Sequence, residues 1–346
     1  MLANSRWVKL VAVGGSAALA SGAYYGYINY QRFNSIQTSQ AIYLKEDNMR
    51  LNRLPPLPVT RAIEGPTKLD FGLTLFQYCS CPFCCKTRTF LDYFGINYNI
   101  VEVNPVLRQQ LKWSEKYKKV PVLLAYTHAA TDNRVEHQTN DQIIYQINDS
   151  SVIMSSLGSF FMSKRRLSSK SSEKAIEDLG RILINYQEIE VENDDGEKRK
   201  ELPNKYFLML GDIDDRELKK RETNLAEERY WRDWTDRVLV HSLSPNIYRT
   251  VPEALQAFNN FSVMGKWDEH FSTIERLTAI YVGSLAMWLI GKRLKKRYNI
   301  KDDVRESLYD DCRVWLKAIG KERQFMGGDQ PNLADLSVFG VLSSIE

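Results

Sequence analysis

Tyr78-Cys79-Ser80-Cys81-Pro82-Phe83-Cys84-Cys85 lies between the apolar run Leu73 to Phe76 and the helix-like stretch Lys86 to Phe94. That order reads as a strand, a turn carrying thiols and then a helix. Proline is suited to the first helical position, where its missing N–H leaves nothing unpaired, so Cys81 falls at the cap of the helix beneath its free N–H groups. Those donors and the helix dipole favour an anion, and Cys81 should ionise more readily than a free thiol, whose pKa is about 8.5. A thiolate there is both a nucleophile and a soft metal ligand. Cys84, one helical turn deeper, is placed as a resolving thiol. The chain lacks a second Cys or His pair at ligand spacing, having only Cys312 and the scattered His128, His137, His241 and His270 besides the cluster. That argues against structural zinc. Cys-x-x-Cys between a strand and a helix marks a redox fold rather than a disulfide staple.

Working outward, Tyr98 to Val103 alternates as a second strand, so strand, helix and strand imply a parallel pair. Pro105 suits the first position of a helix over Val106 to Lys116. Pro121 opens a strand over Val122 to Ala125 rather than interrupting one. His128 to Gln142 reads as a polar surface insertion, and Ile143 to Ile147 as another strand. Asn148-Asp149-Ser150-Ser151 then caps a helix starting near Val152; capping alone accounts for Asp149 and Ser150, while exposed N–H groups beside a carboxylate would also suit a charged peptide.

The 346 residues, 43% hydrophobic and 26% charged, fit two ordinary globular domains, and a net charge of +4 without a long basic block argues against nucleic acid as a partner. The 22 uncharged residues between Lys9 and Arg32 could cross a hydrocarbon core of about 30 Å. An anchor is the first reading of that segment. A secretory signal, with Ala18-Leu19-Ala20 as cleavage site, and a mitochondrial presequence are its rivals. The thiol site points to a reducing compartment.

The expected organisation is an anchor and linker over 1–67, an α/β domain over 68–163, a linker with a small excursion over 164–221, and a helical domain over 222–346. Asn193-Asp194-Asp195-Gly196 reads as a turn in that excursion. Trp231, Trp234, Val238 and His241 form a stripe at helical spacing, read as core, with His241 structural or pocket-lining. Leu277 to Ile290 reads as a helix at a domain's centre, and the basic run Lys292 to Arg297 as its solvated, dipole-compatible end. Asn332-Leu333-Ala334-Asp335 has the pattern of a capping box before Leu336 to Ile345.

Taken together, Tyr78 to Phe94, Val101 to Val106, Lys119 to Leu123, Asn148 to Ile153, His241 to Thr250, Lys292 to Lys295 and Phe325 to Val341 resemble the glutathione-transferase superfamily. Within it they are similar to a membrane-associated branch that isomerises prostaglandin H. The resemblance implies a thioredoxin-like N-terminal domain, with a cis proline at Pro121 facing the thiol, and an all-α glutathione-transferase-like C-terminal domain. It implies Cys81 as the key thiol with Tyr78 as hydrogen-bond donor, while Cys84 stays the candidate redox partner by its place one turn deeper. Glutathione would bind at Val120, Pro121, Asp149, Ser150 and Phe83. The lipid would lie beside His241, Arg293 and Arg297, and haem could take Cys81 as axial contact. The implied reaction converts the endoperoxide of prostaglandin H to the hydroxyketone of prostaglandin E. A homodimer anchored to a Golgi or mitochondrial membrane, with a processed soluble form, completes that expectation. Alternatives are a glutaredoxin-like thiol–disulfide oxidoreductase and a non-catalytic haem or iron–sulfur protein. The sequence departs from the pattern in its extra thiols Cys79 and Cys85, in a longer His128 to Gln142 region, and in ending before the branch's last helices.

Overall fold

The computed structural model describes residues 50–114, 117–127, 142–162, 172–186, 189–192, 198–210 and 215–345. The anchor segment, the His128 to Gln142 insertion up to residue 141 and the Asn193–Gly196 turn lie outside the described residues. Five strands form one sheet in the order β1-β3-β2-β4-β5: β1 is Arg61–Ile63, β2 Gly72–Gln77, β3 Tyr98–Glu102, β4 Val122–Tyr126 and β5 Ile144–Asn148. β2 and β3 are parallel, joined through α1 (Pro82–Tyr93), as the strand, helix and strand pattern requires. The other neighbours pair antiparallel. β1 precedes Lys68, where the sequence pattern alone placed the start of the domain.

α2 (Ser150–Met162) packs on α1 and is buried from Ser150 to Phe160, which leaves its serines to bond inward rather than to water. α3 (Ser172–Leu183) rests against α2 and buries Ala175, Ile176, Leu179 and Leu183, so a packed helix occupies part of the stretch read as a linker. β6 (Ile189–Glu192) and β7 (Lys198–Glu201) pair antiparallel and form a separate unit.

α4 (Asp215–Trp234) runs into a π-helical turn, Thr235–Leu239, and then α5 (Val240–Ile247). α6 (Val251–Met264), the short α7 (Trp267–His270), α8 (Thr273–Arg297), α9 (Val304–Ile319) and α10 (Leu333–Leu342) complete the helical part. The core around Trp231, Leu239, Leu243 and Trp315 also takes in Phe83 from the thiol helix. α10 begins with the expected capping box: the Asn332 side chain accepts from the Ala334 and Asp335 N–H groups, and the Asp335 carboxylate accepts in turn from the Asn332 N–H. Gly340 lets this helix lie against the backbone of α1, since a Cβ there would stand 2.5 Å from the Lys86 Cα.

Three expectations are corrected. Val106 to Lys116 forms no long helix: within residues 106–114 there are turns and a single 3₁₀ turn, Gln109–Leu111. Asn104 Oδ1 captures the Val106 and Leu107 N–H groups, and Arg108 takes a left-handed conformation with φ 51°, which breaks the helical path. Val238 is exposed rather than part of the tryptophan stripe, because the π turn inserts an extra residue and rotates the succeeding side chains about the helix axis. α8 is not enclosed: Ile274, Tyr281, Leu285 and Leu289 are exposed while Ala279, Ile280 and Gly283 face inward. Among the described residues, α8 is long and apolar enough to cross a membrane by length and composition.

Candidate functional site

Cys81 is the N-cap of α1, extended at φ −75° and ψ 124°, with Pro82 in the first helical turn. Its side chain does not close the cap, so the sulfur is left for other partners. The Cys84 thiol donates to it and is the largest influence holding Cys81 below the usual thiol range. Burial opposes this, and the N–H groups of Cys84 and Phe83 and the Arg88 guanidinium reinforce it. Cys81 keeps part of its surface accessible. Cys84 is fully buried, and that burial, together with its donation to Cys81 and the charge on Cys81, drives its own pKa well up. The two thiols are therefore driven apart, Cys81 towards easier ionisation and Cys84 towards keeping its proton.

Tyr78 lies under the same turn, and burial pushes its phenol up to about 12, so it is a proton-bearing donor at neutral pH. Its hydroxyl is enclosed without a well-formed hydrogen bond; Arg108 is near enough to lower the shift electrostatically but lacks the geometry of a full bond. Tyr248, at the end of α5, is raised by burial and by the neighbouring charge of Cys81, which places a second phenol near the sulfur. The sequence held no periodic signal for Tyr248, Arg88 or Arg108. The other two thiols of the cluster are raised as well, Cys79 by burial and then by Glu102, Cys85 by burial against the opposing charge of Arg88.

The Val120–Pro121 bond is cis. Val122 is paired with Asn148 at the ends of β4 and β5, so the chain on either side brings Val120 and Pro121 alongside Asp149 and Ser150. Asp149 has φ 68° and its Oδ1 accepts from the Ser151 N–H at 2.8 Å and the Val152 N–H at 3.4 Å. Its Oδ2 pairs with Lys205 Nζ at 3.0 Å. Lys205 also stands 3.4 Å from Asp236, whose carboxylate receives the fully buried Lys86 ammonium at 2.5 Å and the hydroxyls of Ser151 and Tyr206 at 2.7 and 3.0 Å. Burial alone would raise Asp236, but Lys86 and Lys205 outweigh it and hold the carboxyl well below its usual range. This ion network joins α1 to the first residues of α2 and was invisible in the sequence, because a lysine or aspartate within a helix reads as solvated.

The structure brings His241 and Arg297 together. The His241 ring stacks on Tyr298 at 3.8 Å, and its pKa is lowered by burial and by the Arg297 charge. Arg293 lies one helical turn before Arg297 on α8. Phe83 is turned into the helical core rather than left free beside Cys81. All five cysteines are free, and among the described residues no group of three or more His, Cys, Asp or Glu side chains is arranged to hold a metal ion.

A glutaredoxin family model matches residues 73–126, which run from β2 through α1 to β4 and include both the thiol pair and the cis proline. Over 277 residues the chain is 46% identical to prostaglandin E synthase 2 of Danio rerio, covering 80% of this chain and 65% of that relative's length. It is 40% identical over 332 residues to prostaglandin E synthase 2 of Mus musculus, covering 96% of this chain and 74% of the mouse protein. On that likeness, with the thiol turn and glutaredoxin-like domain in place, the chain belongs to the prostaglandin E synthase 2 family.

Proposed function

We propose that the protein isomerises the endoperoxide of prostaglandin H to prostaglandin E with glutathione as its thiol cofactor. The carrying observation is the accessible Cys81 at a helix N-terminus, where the Cys84 thiol and the Cys84 and Phe83 N–H groups ease its ionisation. The names of its relatives supply the substrate class.

In the proposed step the Cys81 sulfur forms an S–O bond to one peroxide oxygen as the O–O bond breaks. The other oxygen leaves as an alkoxide and takes a proton, for which Tyr78 is the donor at hand. A base then removes the proton from the carbon bearing the S–O group, the carbonyl forms, and the S–O bond releases the Cys81 thiolate. Oxidation and reduction cancel within the substrate. Val120, Pro121, Asp149 and Ser150 are the residues proposed to hold glutathione: the backbone beside the cis bond would pair with the peptide like an added strand, and the start of α2 would receive its glutamyl end. His241, Arg293 and Arg297 are proposed to line the lipid pocket.

Haem belongs to the same reading as a second ligand. The readily ionised sulfur of Cys81 would be a donor of the kind haem iron accepts, and haem would supply redox cleavage of the endoperoxide rather than its isomerisation. A membrane attachment and a homodimer are part of the proposal.

The glutaredoxin match favours one competing reading, thiol–disulfide exchange through Cys81 and Cys84. The complete burial of Cys84 and its raised pKa weigh against it as a ready resolving thiol. The deciding experiment incubates prostaglandin H with the protein and glutathione, with and without haem, beside Cys81→Ser. Prostaglandin E above the spontaneous level, lost in the variant, supports isomerisation. Product at background in every haem-free sample, with disulfide reduction intact, overturns it in favour of the oxidoreductase.

A further inference from the structure

Behind the thiol turn, side chains from β2, β3 and α1 close a ring through the backbone of Cys79. The turn lies between β2 and α1, outside both, so its peptide groups lack the partners a strand or helix supplies. The Cys81 N–H donates to the Tyr78 carbonyl at 3.1 Å, while the N–H and carbonyl of Cys79 are met by side chains. That N–H donates to Glu102 Oε1 at 2.7 Å, and the carbonyl accepts from Arg88 Nη2 at 2.8 Å. Gln77 joins the two charged partners: its amide oxygen accepts from Arg88 Nη1 at 2.6 Å and its amide nitrogen donates to Glu102 Oε2 at 3.1 Å. A cation on the oxygen and a carboxylate on the nitrogen fix which way this amide points. Gln77 and Glu102 are buried and paired at the ends of β2 and β3, which gives the ring a rigid footing. Arg88 comes from α1, two helical turns beyond Cys81 and on the same face. Its Nη2 also stands 3.1 Å from the Cys85 sulfur. One half-buried side chain thus grips the turn just before the accessible thiol and sets a positive charge behind it, where burial limits screening.

We propose that Arg88 is a positioning residue for Cys81, which fixes the place of the sulfur by clamping the Cys79 carbonyl and acts through the turn rather than on the substrate. This rests on the reading that Cys81 is the reacting thiol. The role needs the planar fork of arginine, because a single ammonium on a flexible stem does not hold Gln77 and the Cys79 carbonyl in one geometry. The charge, which also eases ionisation of Cys81, is supplied by lysine as well. Clamp and charge are therefore separable by substitution.

The test compares the whole protein with Arg88→Gln, Arg88→Lys and Gln77→Leu by two readouts. One is iodoacetamide alkylation of Cys81 against pH, assigned by peptide mass spectrometry; the other is kcat and KM for prostaglandin E formation with glutathione. Arg88→Gln removes both charge and fork. Its alkylation at about pH 6–7 should slow roughly threefold to tenfold, equivalent to a rise of about half to one unit in the pH midpoint. Its kcat should fall roughly tenfold to a hundredfold with KM nearly unchanged, as a displaced reacting atom requires. Arg88→Lys should restore the midpoint and leave kcat low, and Gln77→Leu, which breaks the ring and keeps the charge, should match it. A parent-like midpoint and kcat in Arg88→Gln overturns the inference. So does a lower thermal transition with fewer active molecules but an unchanged midpoint and unchanged kcat per active molecule, which a merely structural arginine would give. If Arg88→Gln does not fold, Gln77→Leu decides: a low kcat at a parent-like midpoint upholds the clamp, and a parent-like kcat removes it. A parent protein that forms no prostaglandin E, with the alkylation midpoint still raised in Arg88→Gln and restored in Arg88→Lys, removes the isomerase reading and keeps Arg88 as the support of Cys81.

Discussion

Replacing Asp236 with Asn would take from the buried Lys86 ammonium the one carboxylate within hydrogen-bond range among the described residues. Lys86 is fully buried, and its other partner there is the Ser151 hydroxyl at 2.7 Å. Asn keeps the shape and an acceptor oxygen but not the charge, so the variant isolates the cost of an uncompensated buried cation, about 3–5 kcal/mol. For a domain of this size that corresponds to a fall in Tm of roughly 6–20 °C, read by circular dichroism. Lys86→Met is the counterpart, and its cost should be smaller, because Asp236 keeps Lys205 at 3.4 Å and the hydroxyls of Ser151 and Tyr206. The same network fixes a pH response. Asp236 has a folded-state pKa below its unfolded value, so the unfolded chain binds more protons in the window between them. Stability from this carboxylate is complete above the unfolded value of about 3.9 and is lost as pH falls towards the folded value. The acid limb of the stability profile should therefore be shallower in Asp236→Asn than in the parent. A variant within about 1 kcal/mol of the parent, with the acid limb unchanged, would refute the claim that this pair is desolvated.

Removing the Cys84 thiol with Cys84→Ala takes away the largest stabiliser of the Cys81 anion, so the Cys81 pKa should rise and iodoacetamide alkylation at pH 6–7 should slow; an unchanged alkylation profile would contradict the assignment. Tyr78→Phe should lower prostaglandin E formation by about a hundredfold if the phenol donates the proton in the rate-limiting step, while leaving Cys81 alkylation close to the parent rate. Gly340→Ala would set a methyl group 2.5 Å from the Lys86 Cα and 2.9 Å from its N, both backbone atoms, and should cost roughly 1–3 kcal/mol in a urea titration.

The parts of the fold that chain-local chemistry controls were legible in the sequence. Pro82 marks the start of α1, Asn332 and Asp335 write their own capping box, and Gln77 and Glu102 end a parallel pair whose alternation is plain. The parts that depend on distant partners were not. Asn104 bends its own neighbours away from the helix suggested by Pro105, and the π turn moves Val238 off a stripe that would be continuous in a regular helix. Lys86 and Arg232 are the clearest cases. Both are fully buried, Lys86 against Asp236 and Ser151, Arg232 against the Tyr206 carbonyl, the Ser151 carbonyl and the Ser155 hydroxyl. The acceptors lie far away in sequence, and a periodic reading assigns such residues to the solvated face.

Four thiols within seven residues present a chemical problem that the surroundings resolve one by one. Cys79 donates its N–H to Glu102 Oε1 at 2.7 Å and its thiol to the Phe261 carbonyl at 3.7 Å, so a buried carboxylate faces it and discourages ionisation. The Cys85 thiol is directed at the Cys79 carbonyl at 3.4 Å, and burial outweighs the Arg88 guanidinium 3.1 Å from its sulfur. Cys84 spends its proton on Cys81. Only Cys81 combines access to solvent with donors aimed at its sulfur. The additional cysteines therefore do not multiply the nucleophiles. They fill space as small apolar side chains, and the tendency to ionise is concentrated on the one sulfur that stands at the open end of α1.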